Sequence, residues 1–155
     1  MKRIAIILPL LVVALLCCQC ANSPYSRAKK GAKAIPFQTL NNYYVRNNVS
    51  GDQVQRLILD NKEDFDAVFG PAGIMGGTPT DINWKRQFVI ALLLPKTNRP
   101  TMVTPMEVKQ SPGNIILYYQ VNRGSKTSYT LVPFTAVALD RPANPQQLQV
   151  FYIEK

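Results

Sequence analysis

Histidine is absent from the 155 residues, and the three cysteines all fall between Cys17 and Cys20. The rest of the chain therefore has no imidazole, no thiol and no disulfide, which excludes most transition-metal sites, Cys/His nucleophile pairs and Ser-His-Asp triads. Charged residues are scarce at 17%, and there is one tryptophan. No internal repeat and no long βαβ pattern is present. The apolar run Ile4–Leu16 has 13 residues, fewer than the roughly 20 that a membrane-spanning helix needs. Neither a metal nor a cofactor is expected. The length suits one domain with a modest core.

What is present begins with an address. Lys2 and Arg3 precede the short apolar run, and small residues follow it, as in a secretory signal that is removed. Leu15-Leu16-Cys17-Cys18 resembles the lipobox of bacterial lipoproteins, with Leu at −3 and a small residue at −1 relative to Cys18. Residues 1–17 are thus expected to be a lipoprotein signal peptide and Cys18 the lipid attachment site. A secreted chain cut near Ala21, or an uncleaved anchor, is the other reading. Acylation of Cys18 would hold the chain on a membrane, since stable anchoring takes two or more acyl chains. Gln19 and Cys20 follow with no Asp at the second position, which favours the outer membrane of a two-membrane bacterium.

The net charge of +9 looks like a nucleic-acid signal until it is divided along the chain. Lys2 and Arg3 leave with the signal. Arg27, Lys29, Lys30 and Lys33 lie in a Ser-, Ala-, Gly- and Pro-containing stretch, and from Phe37 onward 12 basic residues face 9 acidic ones. No nucleic-acid partner is expected. Residues 18–36 read as a lipidated, flexible basic tether with too little apolar content to order itself. It is either a solvated linker or a contact for anionic head groups. Ser26-Arg27-Ala28-Lys29 fits the S-x-x-K pattern of serine acyl-enzymes by chance, because the segment offers no apolar face on which such a helix would pack.

Residues 37–155 read as one mainly β domain, with an α+β arrangement as the variant. The expected architecture is an antiparallel sandwich or partly open barrel of about seven strands with one short helix. Asn42–Asn47 and Gln53–Leu59, separated by Asn47-Asn48 and Ser50-Gly51-Asp52, suggest a first hairpin. Asn61 can cap a helix whose first turn holds Glu63 and Asp64, and Phe65, Val68 and Phe69 give it an apolar stripe before Gly70-Pro71. Pro71–Asn83 reads as a long loop. Phe88–Leu94 is seven apolar residues without alternation, which fits a strand buried on both faces. Met106–Gln110 and Asn114–Asn122 form a hairpin, with Pro112 and Gly113 at the centre of the turn. Thr127–Leu139 is a strand pair or one strand bent at Pro133. Leu148–Glu154 alternates and closes the chain.

The nine carboxylates sit where capping, dipole and turn preferences already place them, so a hydrolase is the minority expectation. A second feature is the adjacent aromatic pairs in strands: Tyr43-Tyr44, Tyr118-Tyr119 and Phe151-Tyr152. The period of two sends the rings of each pair to opposite faces. Tyr43, Tyr44, Tyr118 and Tyr119, with Trp84, are the candidate interaction surface; cross-strand packing and a core place for Trp84 are the competing explanation.

With the strands placed, Lys62–Lys155 resembles the PrcB C-terminal domain family, whose members are protease-complex components found among bacterial envelope proteins. The resemblance is carried by Lys62-Glu-Asp-Phe-Asp-Ala-Val-Phe-Gly70, by Asp81-Ile-Asn-Trp-Lys-Arg-Gln-Phe-Val-Ile-Ala91, by the Leu-rich strand and hairpin that follow, and by Tyr129–Val137 around Pro133. The stretch Asn98–Met106 lacks the family's Pro-Thr-Gly-Gly-Tyr-like turn. The resemblance implies a non-catalytic partner that stabilises or modulates a protease complex, and it carries over no catalytic residue. The expectation is a non-enzymatic, lipid-anchored envelope domain that binds another protein, with a glycan- or ligand-binding module as the alternative.

Overall fold

The computed structural model describes residues 23–73 and 77–155. Its elements run α1 (Pro24–Lys29), β1 (Lys33–Ile35), β2 (Gln38–Thr39), β3 (Tyr43–Val45), β4 (Gln55–Leu59), α2 (Lys62–Val68) and β5 (Phe69–Pro71). They continue with β6 (Gln87–Leu93), β7 (Thr101–Ser111), β8 (Asn114–Arg123), β9 (Phe134–Asp140), a 3-10 turn (Pro145–Gln147) and β10 (Gln149–Glu154). The chain is mainly β, as expected. Two open four-stranded sheets, ordered β1-β7-β8-β10 and β2-β9-β6-β4, pack face to face, and β3 and β5 form a separate two-stranded ribbon.

The apolar run of β6 explains the layering. Phe88, Ile90 and Leu92 face the first sheet and meet Val108, Ile115, Leu117 and Tyr119. Val89, Ala91 and Leu93 face the other way, onto Phe65 of α2, Phe69 of β5, Leu40 and Ile82. Both faces of this central strand are thus covered, and each fully buried aromatic or aliphatic side chain contributes about 1.5–3 kcal/mol. Alternation is absent because no face of β6 meets water.

α2 follows its sequence signals. The Asn61 side chain accepts from the Asp64 N–H, and Glu63 and Asp64 occupy the first turn. No basic residue lies in the last turn. Arg46, just after β3, supplies that charge instead: its Nε donates to the Asp66 and Phe69 carbonyls at 2.6 and 3.1 Å, where the helix dipole is negative. The β7–β8 hairpin also forms as expected, with Ser111 opposite Asn114 and Gly113 at φ 74. A Pro-Gly pair with positive φ at glycine is the type II pattern. β7 starts earlier than its alternation suggests, at Thr101, because a bulge between Pro105 and Glu107 absorbs the proline that cannot donate to the ladder.

Several expectations are corrected. The first hairpin does not form: β3 pairs with β5 and β4 with β6, both antiparallel. The sandwich is not wholly antiparallel, because β10 runs parallel to β8. Pro133 precedes β9 instead of bending it, and among the described residues the segment ahead of it makes one isolated bridge, Thr97 to Leu131. The stretch from Ser23 to Pro36 is not a flexible tether. Ser23 caps α1, Ala28 is buried against Ile116 and Tyr118, and β1 pairs with β7. The outer face of the first sheet presents an apolar patch of Ile116, Tyr118, Phe151 and Ile153, so a six-residue helix with little apolar content of its own still finds a surface to cover. The signal segment and Cys18 lie outside the described residues.

Candidate functional site

Only one of the five candidate aromatic residues has a largely accessible ring. Tyr118 and Tyr119 do point to opposite faces of β8, but both faces are covered, and they are 6% and 8% exposed. Tyr118 lies under α1, with its hydroxyl 3.4 Å from that of Tyr25 and the Lys155 ammonium 4.4 Å from its ring centre. The Tyr25 hydrogen bond, and burial after it, push its pKa up to about 12. Tyr119 packs between the sheets with Leu92 and Val103. Burial raises its pKa, and the charge of Glu154 adds to this. These two residues are core and do not belong to an interaction surface.

Trp84 is half-buried, with its ring 5.5 Å from that of Phe65. It seals the core beside α2, as the packing explanation holds. Tyr43 stands edge-on to Phe65 at 5.0 Å and 89°, and its hydroxyl donates to the Thr80 carbonyl at 2.8 Å. Burial first, then the charges of Asp81 and Asp66, raise its pKa. Tyr44, the next residue, projects to the other face of the ribbon and is 45% exposed. It lies across Gly70 of β5, where a Cβ would come within 2.6 Å of the ring. Glycine there gives the tyrosine its seat, an aromatic cover over a strand position without a side chain.

Tyr43 and Tyr44 form one wall of an open cleft of about 1010 Å³ at the end of the sandwich. Asn41 and Asn42 lead into this wall, and Asn42 takes φ 62, a left-handed conformation that Asn tolerates better than most residues. That kink swings the chain out of β2 and into the ribbon, and the Asn42 amide donates to the Thr78 carbonyl at 3.0 Å. The lining also includes the start of β7, the end of β8 and the segment 130–136, with Met102, Asn122 and Val132 among its residues. Gly51 lets two loops meet below: Lys96 donates its N–H to the Gly51 carbonyl at 2.7 Å, and a Cβ on Gly51 would lie 2.9 Å from Val132.

The charged residues of this lining are Arg46 and Lys96, and no carboxylate is among the lining residues. Met102 is 69% exposed. Among the described residues no group of three or more His, Cys, Asp or Glu is placed to hold a metal ion, and no helix is long and apolar enough to cross a membrane. Asp60, Asp64 and Asp66, around α2, are engaged locally. The Asn61 amide donates to Asp60 and Asp64, and Lys62 pairs with Asp66. Lys96, Met102 and Asn122 carry no local signal that would have marked them. They meet through long-range pairing, and only Asn41-Asn42 beside Tyr43-Tyr44 is visible as a polar-aromatic cluster in the sequence. No family model, no curated protein and no solved structure matches the chain.

Proposed function

We propose that this protein is a non-enzymatic domain of the bacterial envelope, lipid-anchored at Cys18 and placed on the outer membrane, that binds another protein through the cleft beside Tyr44. The observation that carries this reading is a cleft of about 1010 Å³ whose lining includes both an exposed Tyr44 and an exposed Met102. Tyrosine and methionine are the residue types enriched where protein partners meet, the one rigid and amphipathic, the other adaptable. The resemblance of Lys62–Lys155 to the PrcB C-terminal domain family favours an envelope protease complex as the partner, stabilised or modulated by this domain. The distance from Cys18 to the start of the described fold at Ser23 is at most about 17 Å of extended chain, so an acylated Cys18 would keep the domain against its membrane.

The test is intact mass of the membrane-extracted protein, with partners captured by mild crosslinking in the same preparation. A triacylated species beginning at Cys18, crosslinked to one envelope protein in a manner lost on Tyr44→Ala, is the expected result. An unmodified chain starting near Ala21 with no partner would sink both the anchor and the function. A second reading, a glycan-binding module, is favoured by one observation: the cleft lining combines the exposed Tyr44 with Asn41, Asn42, Asn47 and Asn122. A glycan array signal that disappears in the same Tyr44→Ala variant would move the weight to it.

A further inference from the structure

Within the protein-binding reading, and resting on it, the geometry points to a mode of binding: the outer edge of β3 takes an extended, acidic segment of the partner as a third strand of the ribbon. In an antiparallel pair, successive residues aim their backbone groups to alternate sides. The β3–β5 register shows which residues aim where. The Arg46 N–H donates to the Val68 carbonyl at 2.9 Å and the Ala72 N–H to the Asn42 carbonyl at 2.8 Å, with Tyr44 opposite Gly70 between them. The Asn42 carbonyl, the backbone groups of Tyr44 and the Arg46 N–H therefore face the β5 side.

Tyr43 and Val45 aim theirs to the other side. Among the described residues, no partner meets the N–H or C=O of either one. The open stretch is bounded at both ends. Upstream, the Asn41 N–H donates to the Thr80 hydroxyl at 2.9 Å, and the Asn41 carbonyl accepts from the Thr80 N–H at 3.2 Å. Downstream, the Val49 N–H donates to the Arg46 carbonyl at 3.1 Å and turns the chain away. What remains is a short edge with two donors and two acceptors, and all of its residues line the cleft.

Length does not set this edge apart, since β1 has three residues, as β3 does, and β2 has two. β4 and β10 lie side by side, with the Tyr152 hydroxyl donating to the Leu57 carbonyl at 3.4 Å and the Gln146 amide donating to the Ile58 carbonyl at 3.2 Å. A covered edge resists pairing with another chain. The β3 edge instead lines an open cleft of about 1010 Å³, and an unpaired edge beside a concavity is what strand addition uses.

Charge selects the kind of segment. Arg46 and Lys96 line the cleft without a facing carboxylate. Arg99 and Arg123 are chain neighbours of the lining residues Pro100, Asn122 and Gly124, and the Arg99 guanidinium donates to the Gly124 carbonyl at 3.3 Å. A carboxylate, Asp52, enters only with the adjoining recess, where it accepts from the Ser50 hydroxyl at 3.1 Å. A strand carrying Asp or Glu therefore matches the wall on which it would lie, and one carrying Lys or Arg does not.

The experiment uses the full chain and fluorescent ten-residue peptides of alternating Thr and Val, with zero, two or four Glu or Lys residues replacing Thr. Binding that rises with Glu, falls with Lys and with added salt, and drops about tenfold in Lys96→Glu is expected. On binding, the amide protons of Tyr43 and Val45 slow in exchange while that of Tyr44 does not change. N-methylation gives a control that leaves the protein untouched: methylating the two peptide nitrogens that face β3 weakens binding about tenfold, at roughly the worth of lost backbone hydrogen bonds, and methylating the alternate ones has no effect. Binding without slowed exchange at Tyr43 and Val45 overturns strand addition and leaves the protein-partner reading standing. Lack of binding by every Glu-containing peptide overturns the acidic segment. Peptide binding as described, with no crosslinked envelope protein in the membrane preparation, would strike at the partner reading alone.

Discussion

Arg141 shows how far one side chain can reach into a β-sandwich. Its Nη2 donates to the carbonyls of Asp60, Trp84 and Gln87, the last two at 3.1 and 2.9 Å, and its backbone N–H donates to the Arg86 carbonyl at 2.7 Å. These carbonyls belong to the residue after β4, the turn ahead of β6 and the first residue of β6, so the guanidinium fastens the end of β4 to the start of β6 just beyond the last pair of their ladder, Leu59 with Val89. Its Nε is buried with no partner among the described residues. The planar, permanently charged fork suits this place, where lysine offers a single point of charge. Replacing Arg141 by Met keeps much of the hydrocarbon and removes every donor, leaving three carbonyls short of partners. The expected loss is about 2–3 kcal/mol, from charged hydrogen bonds at this degree of burial. Arg141→Lys should recover part of it. Urea unfolding checks this: the midpoint falls with the slope unchanged, whereas a loss below about 0.5 kcal/mol would assign the guanidinium no structural weight.

At the scale of elements, α1 is the least self-sufficient piece of the fold. Six residues are too few to hold a helix in water, so its order comes from where it lands. Ala28 packs on Ile116 and Tyr118, the Tyr25 ring meets Phe151 at 5.9 Å, and the Ser111 hydroxyl donates to the Ala28 carbonyl at 2.8 Å. A charge at this buried methyl is incompatible with docking. Ala28→Glu should therefore release α1, with trypsin cutting after Arg27, Lys29 and Lys30 about tenfold faster while the amides of β6 keep their protection. An unchanged cutting rate would mean that the helix is not held by this contact. The same element marks where the sequence can and cannot be read. Asn61 with Glu63 and Asp64, the apolar run of β6 and Pro112-Gly113 are local signals, and each forms the element expected of it. The partner of each strand is not local. Nearness in sequence matches β3 with β4, yet the Asn42 kink sends β3 to β5 across α2. α1 looks like a tether in composition, because composition counts only what a segment contributes and not what waits to be covered. The site is legible only at Tyr44 and its neighbours, since whether a ring on a strand is bare depends on the layer above it. Helix α1 closes that layer over Tyr118, and the second sheet closes it over Tyr119.

For the molecule as a whole, the missing histidine and the confinement of cysteine to residues 17–20 shape its response to pH. No side chain of the described fold has an ordinary pKa between about 5 and 8, so stability is expected to be nearly level from about pH 5 to 9. Above that, tyrosine decides. Burial pushes Tyr152 strongly upward, where its hydroxyl donates to the Ala91 carbonyl at 3.0 Å between the sheets. Tyr43, Tyr118 and Tyr119 are shifted in the same direction. A group whose folded pKa exceeds its unfolded value holds its proton longer in the native state. Its contribution is complete below the unfolded pKa, near 10 for tyrosine, and is lost as pH rises from there through the folded value. Four such groups acting together predict a steep alkaline fall in stability that begins near pH 10. Glu107 is shifted the other way, held down first by its hydrogen bond to Lys155, so its contribution is present above the unfolded carboxyl pKa and fades as pH drops through the folded one. Its carboxylate lies at the surface, where solvent screening keeps that acid-side effect small. Denaturation followed at pH 5, 7, 9, 10 and 11 tests this. Tyr152→Phe should lose the bond to Ala91 at every pH, yet show a shallower fall between pH 10 and 11 than the parent, because one ionisation that opposes folding is gone. Parallel pH curves for the two proteins would place the alkaline sensitivity elsewhere than in the hydroxyl between the sheets.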